Sequence, residues 1–348
     1  MRPVPTATLV SFRLGGGDGV SVEAAKWARA LDQLGFRVTT VAGSGAVDVL
    51  VPGLAMDAPE PPTEAAMTDA LSAADLVVVE NLCSLPLNPA AARVVAGVCA
   101  GRPALLHHHD LPWQRPHLAH LPPPPDDALW AHVTINELSR LQLGEHGITA
   151  ATVYNTFDPD PPAGDRPRTR GALGVAAGNR LLLQPTRALA RKNVAGGLAL
   201  AAALDGTYWL LGPAEDGYGP ELARLVSRAE CPVLLGPPPG GISMADAYAA
   251  CDVVVLPSLW EGFGNPSVES ATHRRPLAIG SYPVAAELAA FGFRWFDSAD
   301  DGPLAAWLEQ PDGELLAHNH HVATRHFNQA ELPSRLSVVI DRIPARLA

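Results

Sequence analysis

In DVVVLPSLWEGFGNPSVESATHRR (252–275) a continuous apolar run breaks into a loop with two glycines, and the loop runs into a segment of helical pattern. A short run that is apolar at every position is expected of a strand covered on both faces. Asn265 is placed to cap the helix that follows, with Pro266 at its first position. The stretch therefore predicts a strand, a glycine loop and a helix start, the unit from which parallel sheets are built.

The same unit recurs in both directions. N-terminal to it, ATLVSF (7–12), FRVTTV (36–41), DLVVVE (75–80), ALLHHH (104–109), HVTI (132–135) and ATVY (151–154) are short β-rich runs. Helical patterns fall between several of them; in 20–34, Ala24, Trp27, Ala28, Leu31 and Leu34 share one face and Gly35 follows as a C-cap. RLLLQ (180–184), TYWLLG (207–212), PVLLG (232–236) and PLAIG (276–280) form a second set with DVVVLP. DPDPPAGDRPRTRG (158–171) is too rich in Pro, Gly and charge to sustain an element and is expected to be the linker. A chain of 348 residues suits two domains. The predicted class is α/β, with two Rossmann-like, doubly wound domains over 1–160 and 172–325. Ligands of such sheets bind beyond the carboxyl ends of the strands.

The formal charge is −11. Residues 1–165 hold 9 Lys+Arg against 18 Asp+Glu, and 166–348 hold 16 against 18, so the excess lies in the first half. An acidic half disfavours nucleic acid and anionic membrane surfaces and favours a neutral or amino-bearing small molecule, although a merely solvated acidic surface would look the same. The longest apolar stretch, 194–204, falls well below the ~20 residues that span a bilayer, and MRPVPTATLV has no signal-peptide core, so the expected location is the cytoplasm. Cys83, Cys99, Cys231 and Cys251 are scattered, with no zinc spacing and no disulfide framework.

Within 261–269, Gly262 and Gly264 permit close approach of the backbone to a ligand. Glu261 and Glu269 are suited to polyol hydroxyls, since carboxylate oxygens accept hydrogen bonds. The alternative is an exposed loop glutamate and a helix-start glutamate paired with His273 four residues on. EGFGNPSVE has the form E-x7-E and resembles the donor-site motif of the family 4 retaining glycosyltransferases, whose GT-B fold has two Rossmann-like domains facing across a cleft. The resemblance implies that Glu261 contacts a donor sugar and Glu269 the ribose of a nucleotide. It further implies that the amides of Phe263, Gly264 and Asn265 bind the sugar, and that a C-terminal helix over 326–348 returns to the first domain.

PTRALARKN (185–193) follows the first strand of the second set and resembles the family's Arg and Lys, five residues apart, that clamp the diphosphate: here Arg187 and Lys192. Cations fixed there stabilise the charge of the leaving diphosphate, which makes both catalytic candidates. Arg191 receives no role. In GGGDGVS (15–21), Gly16 and Gly17 resemble the glycine loop beside the diphosphate, with a flexible turn as the alternative. ALLHHHDLPWQRP (104–116) resembles the segment whose histidine approaches the transferred sugar, here His109, with Asp110 orienting the loop. Consecutive strand residues face opposite ways, so His107, His108 and His109 cannot all bind one metal.

VYNTFDPD (153–160) resembles a segment that supplies Asn155 on the acceptor side, and 283–287 resembles a loop near the nucleotide. Asp158 and Asp160 form a DxD pair in the linker, so no metal and no cofactor is expected. The implied activity is a retaining, metal-independent hexosyltransferase. It would use an NDP-sugar donor of the UDP-glucose or GDP-mannose type and a soluble small-molecule acceptor. A nucleotide-sugar epimerase of the same architecture and a non-catalytic sugar-nucleotide binding protein are the competing possibilities.

Overall fold

A computed structural model describes residues 4–344. The chain forms two compact units, one running to Asn155 and resuming at Gln329, the other spanning Thr156–Asn328. The first holds a seven-stranded sheet of β1 (Thr6–Leu14), β2 (Arg37–Gly45), β3 (Val49–Leu50), β4 (Leu76–Glu80), β5 (Ala104–His108), β6 (Trp130–Thr134) and β7 (Ala150–Thr152). The second holds six strands: β8 (Arg180–Gln184), β9 (Gly206–Leu210), β10 (Val233–Leu235), β11 (Val253–Leu256), β12 (Leu277–Ile279) and β13 (Phe296–Asp297).

The spatial orders are β3-β2-β1-β4-β5-β6-β7 and β10-β9-β8-β11-β12-β13, all parallel. In each sheet the order reverses after its first strand, so β1 lies between β2 and β4 and β8 between β9 and β11. Loops leaving the carboxyl ends of such a neighbouring pair diverge to opposite faces and leave a crevice, the place where open parallel sheets bind ligands. In register, buried side chains face one another: Val10 pairs with Val41 and Val79, and Leu182 with Tyr208 and Val253.

The apolar strands are covered on both sides as their composition predicts. In the first unit Trp27 and Leu31 pack on one face of the sheet, Met67, Leu71 and Val95 on the other. In the second, Leu198, Leu200 and Ala201 of the helix Val194–Ala203 pack against Leu182, Tyr208 and Val253. No helix among the described residues is long and apolar enough to cross a membrane.

Three local expectations are corrected. Residues 158–171 are not a bare linker, because Arg166–Leu173 is a helix capped by Asp165. Arg166 and Arg170 hold it to the second unit by donating to the carbonyls of Ala249, Ala250 and Cys251 and to Asp252. Local composition disfavoured the helix, and these tertiary bonds override it. Residues 283–287 lie in a helix, Pro283–Ala289, not a loop. The C-terminal stretch is a turn at Gln329–Glu331 followed by a helix Leu332–Ile340 that packs Leu332, Leu336 and Val339 against Trp27 and Leu31; residues 345–348 lie outside the described part. Strands β3 and β13, two residues each, carried no periodicity to read.

Candidate functional site

In the second unit, the loops leaving β8 and β11 meet at the crevice between those strands. Asn193 donates to the Pro257 carbonyl at 3.1 Å and the Leu259 amide to the Arg191 carbonyl at 2.9 Å, stitching the loops together. Side chains complete the join. Glu261 accepts from Lys192 Nζ, from Arg191 Nη1 at 2.7 Å and from Ser258 Oγ at 2.5 Å, and Arg191 also donates to the Trp260 carbonyl.

Glu261 and Lys192 are 4% and 8% exposed, so this is a buried ion cluster. Burial alone would raise the Glu261 carboxyl; the neighbouring Lys192 and Arg191 outweigh it and hold the group at about 2. Burial pulls Lys192 below its ordinary value, opposed by Glu261. The three side chains sum to a charge of +1, a surplus suited to an anion. The simple solvated basic turn is thus excluded for Lys192, and Glu261 and Lys192, assigned separately to sugar and phosphate by resemblance, form one group. Arg187 is a third exposed and pairs with Glu215 at 2.5 Å.

Gly264 adopts φ +86°, and a Cβ there would lie 2.6 Å from the Tyr282 hydroxyl, so the loop needs glycine on both counts. Phe263 is buried against Phe157 and Phe327, which makes its side chain structural. Gly262 is half-buried. Asn265 occupies the cap position of the helix Pro266–Thr272 but has helical φ and ψ, and its side chain makes no capping bond. Pro266 stands at the first turn as expected. Glu269 accepts a hydrogen bond from Tyr248 Oη at 2.6 Å, while His273 stacks on the Tyr248 ring. Burial, then Arg275, bring His273 down to about 4, so it is neutral near pH 7 and is no ion-pair partner.

In the first unit, Gly16 and Gly17 lie in the loop between β1 and the helix Gly19–Gln33, which Asp18 caps. A Cβ on Gly17 would meet nothing within 4 Å. The constrained glycine is Gly15, with φ +75° and a Cβ that would lie 2.5 Å from the Ala46 carbonyl.

The three histidines at the end of β5 divide as alternation requires. His107 and His109 share one face, donating to Glu80 Oε2 from Nδ1 at 2.8 Å and Nε2 at 3.1 Å. Trp27 stacks on His107 at 3.8 Å. His108 faces the other way: Ser84 Oγ lies 2.6 Å from its Nδ1, its Nε2 lies 2.9 Å from His132 Nδ1, and His132 Nε2 lies 3.0 Å from Asp126.

Burial pushes His107 down to about 4, and pushes His108 and His132 below their ordinary range. Burial would raise Glu80; the two histidines bring it to about 2. Nitrogens of His107 and His109 and an oxygen of Glu80 lie within 4.8 Å of one another, a spacing compatible with a metal ion that the sequence pattern did not suggest. In this arrangement Glu80 uses that proximity to accept two hydrogen bonds. Asp110 takes Arg115 at 3.0 Å, and the His109 and Asp110 amides both donate to Asn81 Oδ1, which fixes the loop. Asn155 is buried at the last position before the second unit begins.

No family model matches the chain. It is 25% identical to mannosylglucosylglycerate synthase of Thermotoga maritima, covering 94% of this chain and 98% of that protein. Among solved structures it superposes on Anabaena HepE in complex with UDP and glucose with a TM-score of 0.75 at 18% identity, covering 97% and 99% of the two chains. WaaG, a glycosyltransferase involved in lipopolysaccharide biosynthesis, gives 0.67 at 15%, covering 98% and 100%. The fold is GT-B.

Within it, Arg187, Lys192, Glu261, Gly262, Phe263, Gly264 and Asn265 all lie on the two loops at the second unit's switch point, with Glu269 on the helix that follows. Gly16 and Gly17 follow β1, while His109 and Asp110 follow β5. Four residues escaped the sequence reading: Arg191, Glu215, Tyr248 and Glu80. Arg191 stood beside an assigned lysine, and Glu80 was visible as a carboxylate ending a wholly apolar strand. Tyr248 and Glu215 belong to no pattern, since only folding brings them to their partners.

Proposed function

We propose that the chain is a retaining glycosyltransferase of family 4 type, moving a hexose from a UDP-glucose- or GDP-mannose-like donor to a hydroxyl of a small-molecule acceptor without a catalytic metal. The observation that carries it is the pairing of the 185–193 loop with the EGFGNPSVE loop at one switch point, through a buried cluster that keeps a net positive charge. Arg187 and Lys192 would stabilise the diphosphate as the glycosidic bond breaks, a charge that grows in the transition state. Glu261 holds Lys192 in place and meets the donor sugar together with the amides of 263–265, while Glu269 takes the ribose. Glu80 accepts from Nε2 of His109, which leaves Nδ1 as the ring atom able to accept a hydrogen bond.

HepE, with UDP and glucose bound, supports a nucleotide-sugar donor, and the name of the Thermotoga relative supports a small acceptor. The acidic first half favours a neutral or amino-bearing acceptor, whereas the glycerate in that relative's name is an acid; an acceptor panel must hold all three kinds. Donor binding to the native state raises the melting temperature, so UDP-, GDP- and ADP-sugars identify the nucleotide by thermal shift. NMR of the reaction with the acceptor panel then reports product and anomeric configuration. An inverted anomer, donor consumed with no acceptor present, or binding without turnover would each overturn the proposal.

A further inference from the structure

Tyr248 belongs to the helix Met244–Ala250, is fully buried, and has no place in any motif of the chain. Its helix is clamped at both ends. Ser243 and Asp246 form a reciprocal cap at the start, and the carbonyls at the far end accept from Arg166, Arg170 and Arg275. Gly164 packs against its backbone so closely that a Cβ would lie 2.1 Å from the Ala245 carbonyl. The ring is further held by His273, stacked at 4.5 Å and 5°. A buried phenol requires a hydrogen-bond partner, and this one has Glu269 Oε2 at 2.6 Å, the short distance of a charge-assisted bond.

We propose that Tyr248 is a positioning residue for nucleotide recognition: its hydroxyl locks the Glu269 carboxylate in the orientation that engages the ribose diol. The inference rests on the assignment of Glu269 to the ribose. A carboxylate can accept about four hydrogen bonds, and the phenol uses one while fixing the plane of the others. Without it, the Glu269 side chain loses a buried, rigid anchor, and each diol contact would have to supply more of the ordering itself.

Tyr248→Phe keeps the ring and its stack and removes only the oxygen. Calorimetric titration is run with UDP, GDP and their 2′,3′-dideoxy counterparts on wild type, Tyr248→Phe and Glu269→Ala. Tyr248→Phe is expected to weaken the diphosphates with intact ribose about tenfold and to leave the dideoxy ligands unchanged. Equal weakening of both ligand types would make Tyr248 a general structural residue and overturn the proposal. Unchanged binding in Tyr248→Phe, with loss confined to Glu269→Ala, would overturn it while sparing the ribose assignment. If Glu269→Ala also binds both types like wild type, or if no nucleotide binds, the ribose assignment itself fails and the proposal falls with it.

Discussion

The two sheets share one order over six strands and one switch point, yet the first unit lines its strand ends with histidines and the second with arginine, lysine and glutamate. In the second unit the Glu261 carboxylate, paired with Lys192 and Arg191, is held at about 2 and so stays ionised through the neutral range. In the first, His107, His108 and His132 are buried neutral and joined to Glu80, Ser84 and Asp126 by hydrogen bonds that depend on one proton arrangement. One scaffold thus carries a fixed electrostatic site on one sheet and a titratable network on the other. Topology sets where a site lies, and the side chains at the strand ends set how it responds to pH.

The sharpest way to break the contrast is to remove the anion of the fixed cluster. Glu261→Gln leaves Lys192 buried beside Arg191 without a counter-charge and is expected to cost about 3–5 kcal/mol, read by urea unfolding. A cost under about 1 kcal/mol, as for an exposed pair, would show that the cluster is solvated.

Next in size is the response to acid. His107 sits at about 4 in the folded chain against an ordinary value near 6.5, so between those values the unfolded state binds a proton that the folded state refuses. Its stabilisation is complete above pH 6.5 and is lost as pH falls toward 4, roughly 3 kcal/mol for this group alone. Glu80 works in the same direction at lower pH, since its contribution is lost only below its ordinary value of 4.5. His273 in the second unit is also held to about 4, but the first unit has three histidines that burial holds below their ordinary value. Hydrogen exchange at pH 7.5 and 5.5, corrected for intrinsic rates, should therefore show peptides of β4 and β5 losing more protection than those of β8 and β11. Equal losses would erase the distinction.

The smallest effect is expected at Arg187 and Glu215, each about a third exposed. Glu215→Gln should change stability by less than about 1 kcal/mol in the same urea experiment, because water screens the pair. A larger loss would place this pair with the buried cluster.

Both sheets were legible because their strands are continuous apolar runs punctuated by glycine and proline, and such runs have little alternative when both faces are covered. The loops around 187–192 and 261–269 were legible for the same reason, since they follow those runs. The helix Arg166–Leu173 was not, because its support comes from Arg166 and Arg170 reaching carbonyls some 80 residues away. Capping at Asn265 failed because the residue is already helical, so its side chain has no route back to the amides ahead.

Residue order by itself determined the α/β class, the two sets of strands and the loops that carry Arg187, Lys192, His109, Glu261 and Glu269, because hydrophobic patterning and turn chemistry are local. Only the tertiary structure decided which of these side chains meet. Lys192 and Glu261, Tyr248 and Glu269, and Glu80 and His109 are 69, 21 and 29 residues apart in the chain. Partnerships over such separations are set by strand order and helix packing, which no local pattern encodes.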